Sequence, residues 1–149
     1  MKATTLVQHQ HRLLVQVACA LEYERHHVGA LRLELLDDFD RHVAAVTHLL
    51  VRVAERGLPP EPEVGASLGA LRGAVDRIRS AASTREGVVD PVRNLRWLLV
   101  HHGDVIEEHL VAPMAAYLDP DDLEGLGVSA ECVLRPSSPS SSADTSRVA

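Results

Sequence analysis

Apolar residues recur at intervals of three and four along most of this chain, which is the spacing of one face of an α-helix. The pattern predicts three helices, over about residues 4–27, 30–55 and 63–82. Gly57-Leu58-Pro59-Pro60 ends the second helix, because proline has no backbone N–H to donate. The second helix has one continuous apolar seam, formed by Leu35, Phe39, Val46, Leu49 and Val53. His42 lies on this seam.

A fourth helix is predicted to start at Asp90 and Pro91 and to run to about residue 118. Aspartate is a common N-cap, and proline is tolerated in the first turn, where the backbone N–H has no helical partner. Residues 83–89 are expected to form the loop before it. Four helices of this length on one chain favour an antiparallel up-down four-helix bundle.

The C-terminal part differs from the rest. Asp119-Pro120 predicts a short helix over 121–126, ended by Gly127, and a Ser- and Pro-rich segment follows. Such a segment has too few apolar residues to offset the entropy of ordering. We therefore expect one all-α domain over residues 1–130, with a disordered tail over 131–149.

Composition and net charge limit the kinds of partner that the protein is expected to bind. The chain is 46% hydrophobic with few aromatic residues, so Leu, Val and Ala must fill the core. The net charge of -6 argues against nucleic-acid binding, which needs clustered Lys and Arg. No apolar run reaches the roughly 18 residues of a membrane span, no signal peptide is recognised, and Cys19 and Cys132 make no disulfide framework. A cytoplasmic protein without a membrane partner is expected.

Nine histidines are the unusual feature of the composition. Histidine is the commonest protein metal ligand and titrates near neutral pH. The alternative is that most of these side chains are solvated at the surface. Those that fall in close groups are His9, His11, His26, His27, His101, His102 and His109.

Two segments, residues 40–57 and 101–127, carry a resemblance to a known family. The second, HHGDVIEEHLVAPMAAYLDPDDLEGLG, has an EE pair, a proline and a Leu-rich turn at its end. Over roughly residues 5–127 the chain resembles the hemerythrin-like (HHE cation-binding) family. The resemblance implies a four-helix bundle that binds non-heme iron in its interior, together with oxygen, nitric oxide or peroxide.

Carried over residue by residue, the resemblance implies the metal ligands His11, His42 and Glu107, with His102 nearby. His9 is an alternative to His11. Other positions where the family has ligands hold residues that cannot bind a cation: Val46, Leu68, Arg72 and Gly103. A complete two-iron centre is therefore not expected, and a single iron or zinc ion is the remaining form of the site.

Two other functions stay open. In the first, the pocket works without metal, with His42 and Arg72 binding or transforming a small anionic or carbonyl substrate by acid-base catalysis, for example in a biosynthetic pathway. A plainer interpretation of Arg72 is an internal salt bridge to Glu107 or a surface position. In the second, the chain is a structural or regulatory bundle. A small-molecule ligand or substrate is the expected partner, and a homodimer could complete the site.

Overall fold

The computed structural model describes residues 1–59 and 61–136, and these residues are almost entirely helical. No strand occurs within the described ranges, so the predicted all-α class is confirmed. The elements, in chain order, are α1 (Ala3–Tyr23), α2 (Val28–Glu55), α3 (Pro62–Ser80), α4 (Arg85–Ile106), a π-helical turn (Glu107–Val111), α5 (Ala112–Tyr117) and α6 (Pro120–Leu134). None of the described helices combines the length and apolarity that a bilayer crossing needs.

The helices pack around two apolar clusters. Helix α1 contacts α2, α4 and α6, while α3 contacts α4 and α2. The first cluster holds Leu6, Val46, Leu68 and Leu110 among others. The second holds Leu14, Phe39, Leu71 and Leu95 among others. Burial of this aliphatic surface is the main favourable contribution to folding, at about 25 cal/mol per Å².

The order of the two clusters alternates from helix to helix. Along α1 and α3 the chain passes from the first cluster to the second, and along α2 and α4 it passes from the second to the first. The histidines His11, His42 and His102 each fall between the two clusters on their own helix. A polar layer therefore separates two apolar layers in the interior.

Helix α1 ends at Tyr23, four residues before the predicted end. The Glu24 carboxylate explains this, because its Oε1 accepts the backbone N–H groups of Arg25 at 2.8 Å, His26 at 2.7 Å and His27 at 3.3 Å. A side chain that satisfies successive backbone donors competes with continuation of the helix. The chain then turns directly into α2.

Helix α4 begins at Arg85, so the predicted start at Asp90 and Pro91 is wrong. Thr84 is the actual N-cap, and its hydroxyl accepts the backbone N–H of Gly87 at 3.1 Å. Pro91 lies inside the helix. The cap decides the start because it satisfies a backbone donor that has no helical partner.

A π-helical turn over Glu107–Val111 interrupts the long fourth segment. The backbone N–H of Ala112 donates to the carbonyl of Glu107, five residues back. Pro113 follows, and in a regular α-helix its ring would clash with the carbonyl of His109. The wider turn relieves that clash and adds one residue to the helical register.

Helix α6 continues through Gly127 to Leu134, so the predicted short helix ending at Gly127 is wrong. Its start is as predicted, since Asp119 caps it by accepting the backbone N–H of Asp122 at 2.8 Å. Gly127 instead allows close packing, because a Cβ there would overlap the carbonyl oxygen of Met1. Helical structure thus extends beyond residue 130, and residues 137–149 of the predicted tail lie outside the described part of the chain.

Candidate metal centre

Three histidines from three helices converge in the polar layer. They are His11 of α1, His42 of α2 and His102 of α4. One nitrogen of each ring lies within 4.8 Å of the corresponding nitrogens of the other two. The ring centroids are 5.2 Å apart for His42 and His102, and 6.1 Å and 5.9 Å from His11 to these two. The sequence resemblance named all three residues, and the tertiary structure brings them together.

The three rings differ in their exposure. His42 and His102 are fully buried at 0% exposure, whereas His11 is only partly buried. His11 is therefore the member of the group that borders the surface.

Hydrogen bonds orient His102 for a ligand role. Its Nε2 lies 3.0 Å from Nε2 of His42, and its Nδ1 lies 2.7 Å from Oγ of the buried Ser67. The Ser67 hydroxyl donates its single proton to the carbonyl of Val64 at 3.1 Å, so Oγ accepts from Nδ1–H of His102. This assignment leaves Nε2 of His102 unprotonated and pointing at His42. A hydrogen bond at the other ring nitrogen is the usual support of a metal-binding histidine.

Burial keeps the histidines neutral. Loss of hydration, with a smaller effect of neighbouring imidazoles, lowers the pKa of His42 and His102 to about 3. Burial also lowers the pKa of His11, against the raising effect of Glu107 and Asp104. Neutral imidazole is the form that donates a lone pair to a metal, so protons compete weakly for this site at neutral pH.

The group fits a single metal ion. Nitrogens around a tetrahedral zinc ion are about 3.4 Å apart for bonds of about 2.1 Å. Here the Nε2 atoms of His42 and His102 are 3.0 Å apart, and the possible ligand atoms of the three rings all lie within 4.8 Å of one another. Nδ1 of His11 and Nδ1 of His42 are buried without a hydrogen-bond partner. Unpartnered buried polar atoms are costly and call for an explanation. A bound cation would use lone pairs in this group.

The group does not fit a two-iron centre. Such a centre needs several carboxylates on the interior of the bundle, and no carboxylate belongs to the histidine group among the described residues. Val46 and Leu68 are buried apolar residues where the family would place ligands.

Two expected members lie elsewhere. Glu107 is exposed and accepts a hydrogen bond from Nε2 of Gln8 at 2.8 Å, outside the histidine group. Arg72 is exposed on α3, which agrees with the surface interpretation and not with an internal salt bridge to Glu107. The neighbours Leu71 and Leu68 take the buried face of α3, and helix rotation of about 100° per residue turns Arg72 outward.

His102 rather than residue 103 joins the site because His102 lies on the buried face of α4, between Leu99 and Ile106. Side chains three and four residues apart share one face of an α-helix. The resemblance implies a ligand at position 103, but Gly103 has no side chain to provide one.

Ser67 was missed by the sequence reasoning. It lies one residue before Leu68, where the family has a ligand, and it is 7% exposed. A serine on the apolar stripe of α3 was the available signal, but serine is common in helices, and its partner on α4 is not visible in the sequence.

A surface cleft of about 410 Å³ leads to His11. A Cβ on Gly103 would lie 2.7 Å from Nε2 of His11, so the glycine provides the space in which this imidazole sits. The walls of the cleft are formed by Gln8, His11, Arg12, Gly103, Asp104, Ile106 and Glu107.

A second group of possible ligands, Glu61, Glu63 and His109, lies at the surface. His109 is hydrogen-bonded through Nδ1 to Glu61, and this contact raises the pKa of the imidazole. The hydrogen bond between His109 and the Glu61 carboxylate already explains the geometry of this group. It lies beside an apolar cleft of about 330 Å³ that includes Leu58 and Met114.

Comparison with known proteins yields no match: none of the protein-family models, the curated proteins or the solved structures matches this chain.

Proposed function

We propose that this protein binds one divalent transition-metal ion through His11, His42 and His102. The observation that carries the proposal is the convergence of three neutral imidazoles from three helices, with ligand nitrogens within 4.8 Å of one another. Ser67 would hold His102 in the tautomer that coordinates through Nε2. Three histidines with an open fourth position are the donor set of single-ion sites that bind an exogenous ligand.

The proposal includes a hemerythrin-like, up-down four-helix bundle around the site. It is supported by the alternation of the two apolar clusters along α1, α2, α3 and α4, which is the order that antiparallel neighbours produce. In this proposal the site departs from the two-iron pattern and keeps a single-ion form, since Val46 and Leu68 supply no ligand atoms.

The donor chemistry restricts the ion. Imidazole nitrogens suit zinc, iron, copper and nickel, while calcium and magnesium prefer oxygen. The resemblance to hemerythrin-like proteins favours non-heme iron, with zinc as the other candidate. When bound, such an ion would supply a Lewis-acidic position for a small ligand such as oxygen, nitric oxide or peroxide. The chain's own part is to hold three imidazoles and to enclose two of them from water.

The test is metal content on protein purified without a histidine tag. Elemental analysis after expression with added iron and zinc should give about one ion per chain. Apo protein titrated with Co²⁺ should develop visible absorption bands typical of nitrogen coordination. His42→Ala and His102→Ala should lose the ion, while His9→Ala, an exposed histidine on α1, should keep it. Wild-type protein with far less than one equivalent after metal-replete expression would refute the proposal.

Acid-base catalysis without metal has less support. Arg72 is exposed and cannot serve as the anion-binding partner of His42. A pKa of about 3 makes His42 and His102 poor proton donors and weak bases at neutral pH. The third possibility, a bundle with an inert interior, predicts that replacing all three histidines with leucine leaves the cellular function intact.

A further inference from the structure

The cleft beside His11 is the part of the surface that reaches the histidine group. Within the described part of the chain, His42 and His102 are 0% exposed and His11 is only partly buried, so an approaching ion meets His11 first. Four other clefts formed by described residues have no member of the group in their walls, and they lie beside His109, His9, Trp97 and His26.

The walls of this cleft carry excess negative charge. Among the described residues, its walls include two carboxylates, those of Asp104 and Glu107, and one guanidinium, that of Arg12. Arg12 Nε donates to the carbonyl of Gln8 at 3.4 Å, which holds its stem along α1. The two carboxylates act electrostatically on His11, so their field extends to the inner end of the cleft.

Glu107 retains capacity to bind a cation. Its Oε1 accepts one hydrogen bond, from Nε2 of Gln8 at 2.8 Å. A carboxylate has about four lone-pair positions, so other positions are free for a hydrated ion. Gly103 leaves the passage between these carboxylates and His11 without a side chain.

We propose that this cleft is the uptake route of the metal ion, in which Asp104 and Glu107 capture the hydrated cation and His11 is the first imidazole to bind it. The inference rests on the proposed function of the histidine group and adds a role for residues outside it. A cleft lined by charge of one sign concentrates ions of the opposite sign and raises their association rate. His42 and His102 then complete the coordination inside the protein.

The test is the rate at which apo protein takes up Co²⁺, followed by stopped-flow absorbance at low and at physiological ionic strength. Charge at the rim of a binding site acts mainly on the association rate. The double variant Asp104→Asn/Glu107→Gln should bind about five- to tenfold more slowly at low salt. Its dissociation rate, measured by transfer to a chelator, should change less than about twofold. Arg12→Gln should bind faster than wild type, because it removes the one guanidinium that lines the cleft among the described residues.

Glu108→Gln is the matched control. Glu108 is an exposed carboxylate on the same π-helical turn, but it does not line the cleft. The Glu108→Gln variant should therefore take up Co²⁺ at the same rate as wild type. Equal uptake rates for wild type and the double variant, with Co²⁺ still bound by both, would overturn the uptake route alone. Wild-type protein that binds no Co²⁺ at all would overturn the proposed function itself. The two failures are therefore distinguishable.

Discussion

Gly103 of α4 and His11 of α1 occupy adjoining space, since a Cβ at position 103 would lie 2.7 Å from Nε2 of the His11 ring. The resemblance to hemerythrin-like proteins had assigned a ligand to position 103. In this chain, Gly103 cannot provide a ligand. Its missing side chain instead leaves room for the His11 imidazole of α1. On α4 the preceding residue, His102, joins the histidine group instead.

Gly103→Ala should separate stability from metal binding. Alanine favours a helix over glycine by about 1 kcal/mol, and the contacted atoms belong to the ring end of a side chain that can rotate. We expect an unchanged or slightly raised melting temperature together with at least tenfold weaker Co²⁺ binding, because His11 must leave its position. Gly69→Ala on α3, where a Cβ would meet nothing within 4 Å, is the control. Co²⁺ affinity equal to wild type in Gly103→Ala would show that the position of His11 is not needed.

Ser67→Ala should weaken both the fold and the site. The substitution removes the acceptor of Nδ1–H of His102, which lies 2.7 Å away in a buried place. A buried donor left without a partner costs about 1–3 kcal/mol, and loss of such a support weakens metal affinity by about 10–100-fold. Urea denaturation of the apo protein and Co²⁺ titration measure the two effects. Ser80→Ala, which removes an exposed hydroxyl that donates to the carbonyl of Asp76 on the same helix, should change neither by more than a small amount.

The apo protein should lose stability between pH 6.5 and pH 5. His42 and His102 have a folded pKa of about 3, below the value of 6.5 in the unfolded chain. Below pH 6.5 the unfolded state therefore binds more protons, so the free energy of unfolding falls as the pH falls. Each such histidine contributes a slope of up to about 1.4 kcal/mol per pH unit. Urea denaturation at a series of pH values measures this slope.

The variant His42→Leu/His102→Leu tests the origin of that slope. Its free energy of unfolding should depend much less on pH above pH 5. Glu22 is a separate acid-sensitive group, since its hydrogen bonds with Arg96 and Arg93 lower the pKa of its carboxyl. Its contribution is lost as the pH falls below the ordinary value of 4.5, outside the chosen window. An undiminished slope in the double variant would contradict the assignment to these histidines.

Gly127→Ala should detach the N-terminal residues from α6. A Cβ at this position would overlap backbone atoms of Met1 and Ala3, above all the carbonyl oxygen of Met1. Backbone cannot move aside as a side-chain end can, so we expect a loss of about 1–3 kcal/mol despite the better helix propensity of alanine. Gly125→Ala on the same helix meets nothing within 4 Å and should be neutral or stabilising. Thermal unfolding of the two variants gives the comparison, and equal melting temperatures would contradict the packing role.

The helix boundaries show which features of the fold the local sequence predicts and which it does not. The spacing of apolar residues located α2 and α3 to within about two residues, because a helix face is set by a local period. The sequence did not predict the start of α4 after Thr84 or the end of α1 at Tyr23. Each of these boundaries depends on one side chain that accepts hydrogen bonds from backbone N–H groups. Other nearby residues can also indicate a helix start, as Asp90 and Pro91 did for α4, where Thr84 is the actual N-cap.

The sequence by itself determined that the chain is helical and that His42 lies on an apolar seam, because both follow from short-range periodicity. Tertiary structure alone decided which side chains meet. It put His102 beside His42, matched Ser67 to His102 and turned Arg72 to the solvent. The physical reason is that convergence depends on how whole helices rotate and pack against one another, and one residue of register rotates a side chain by about 100°.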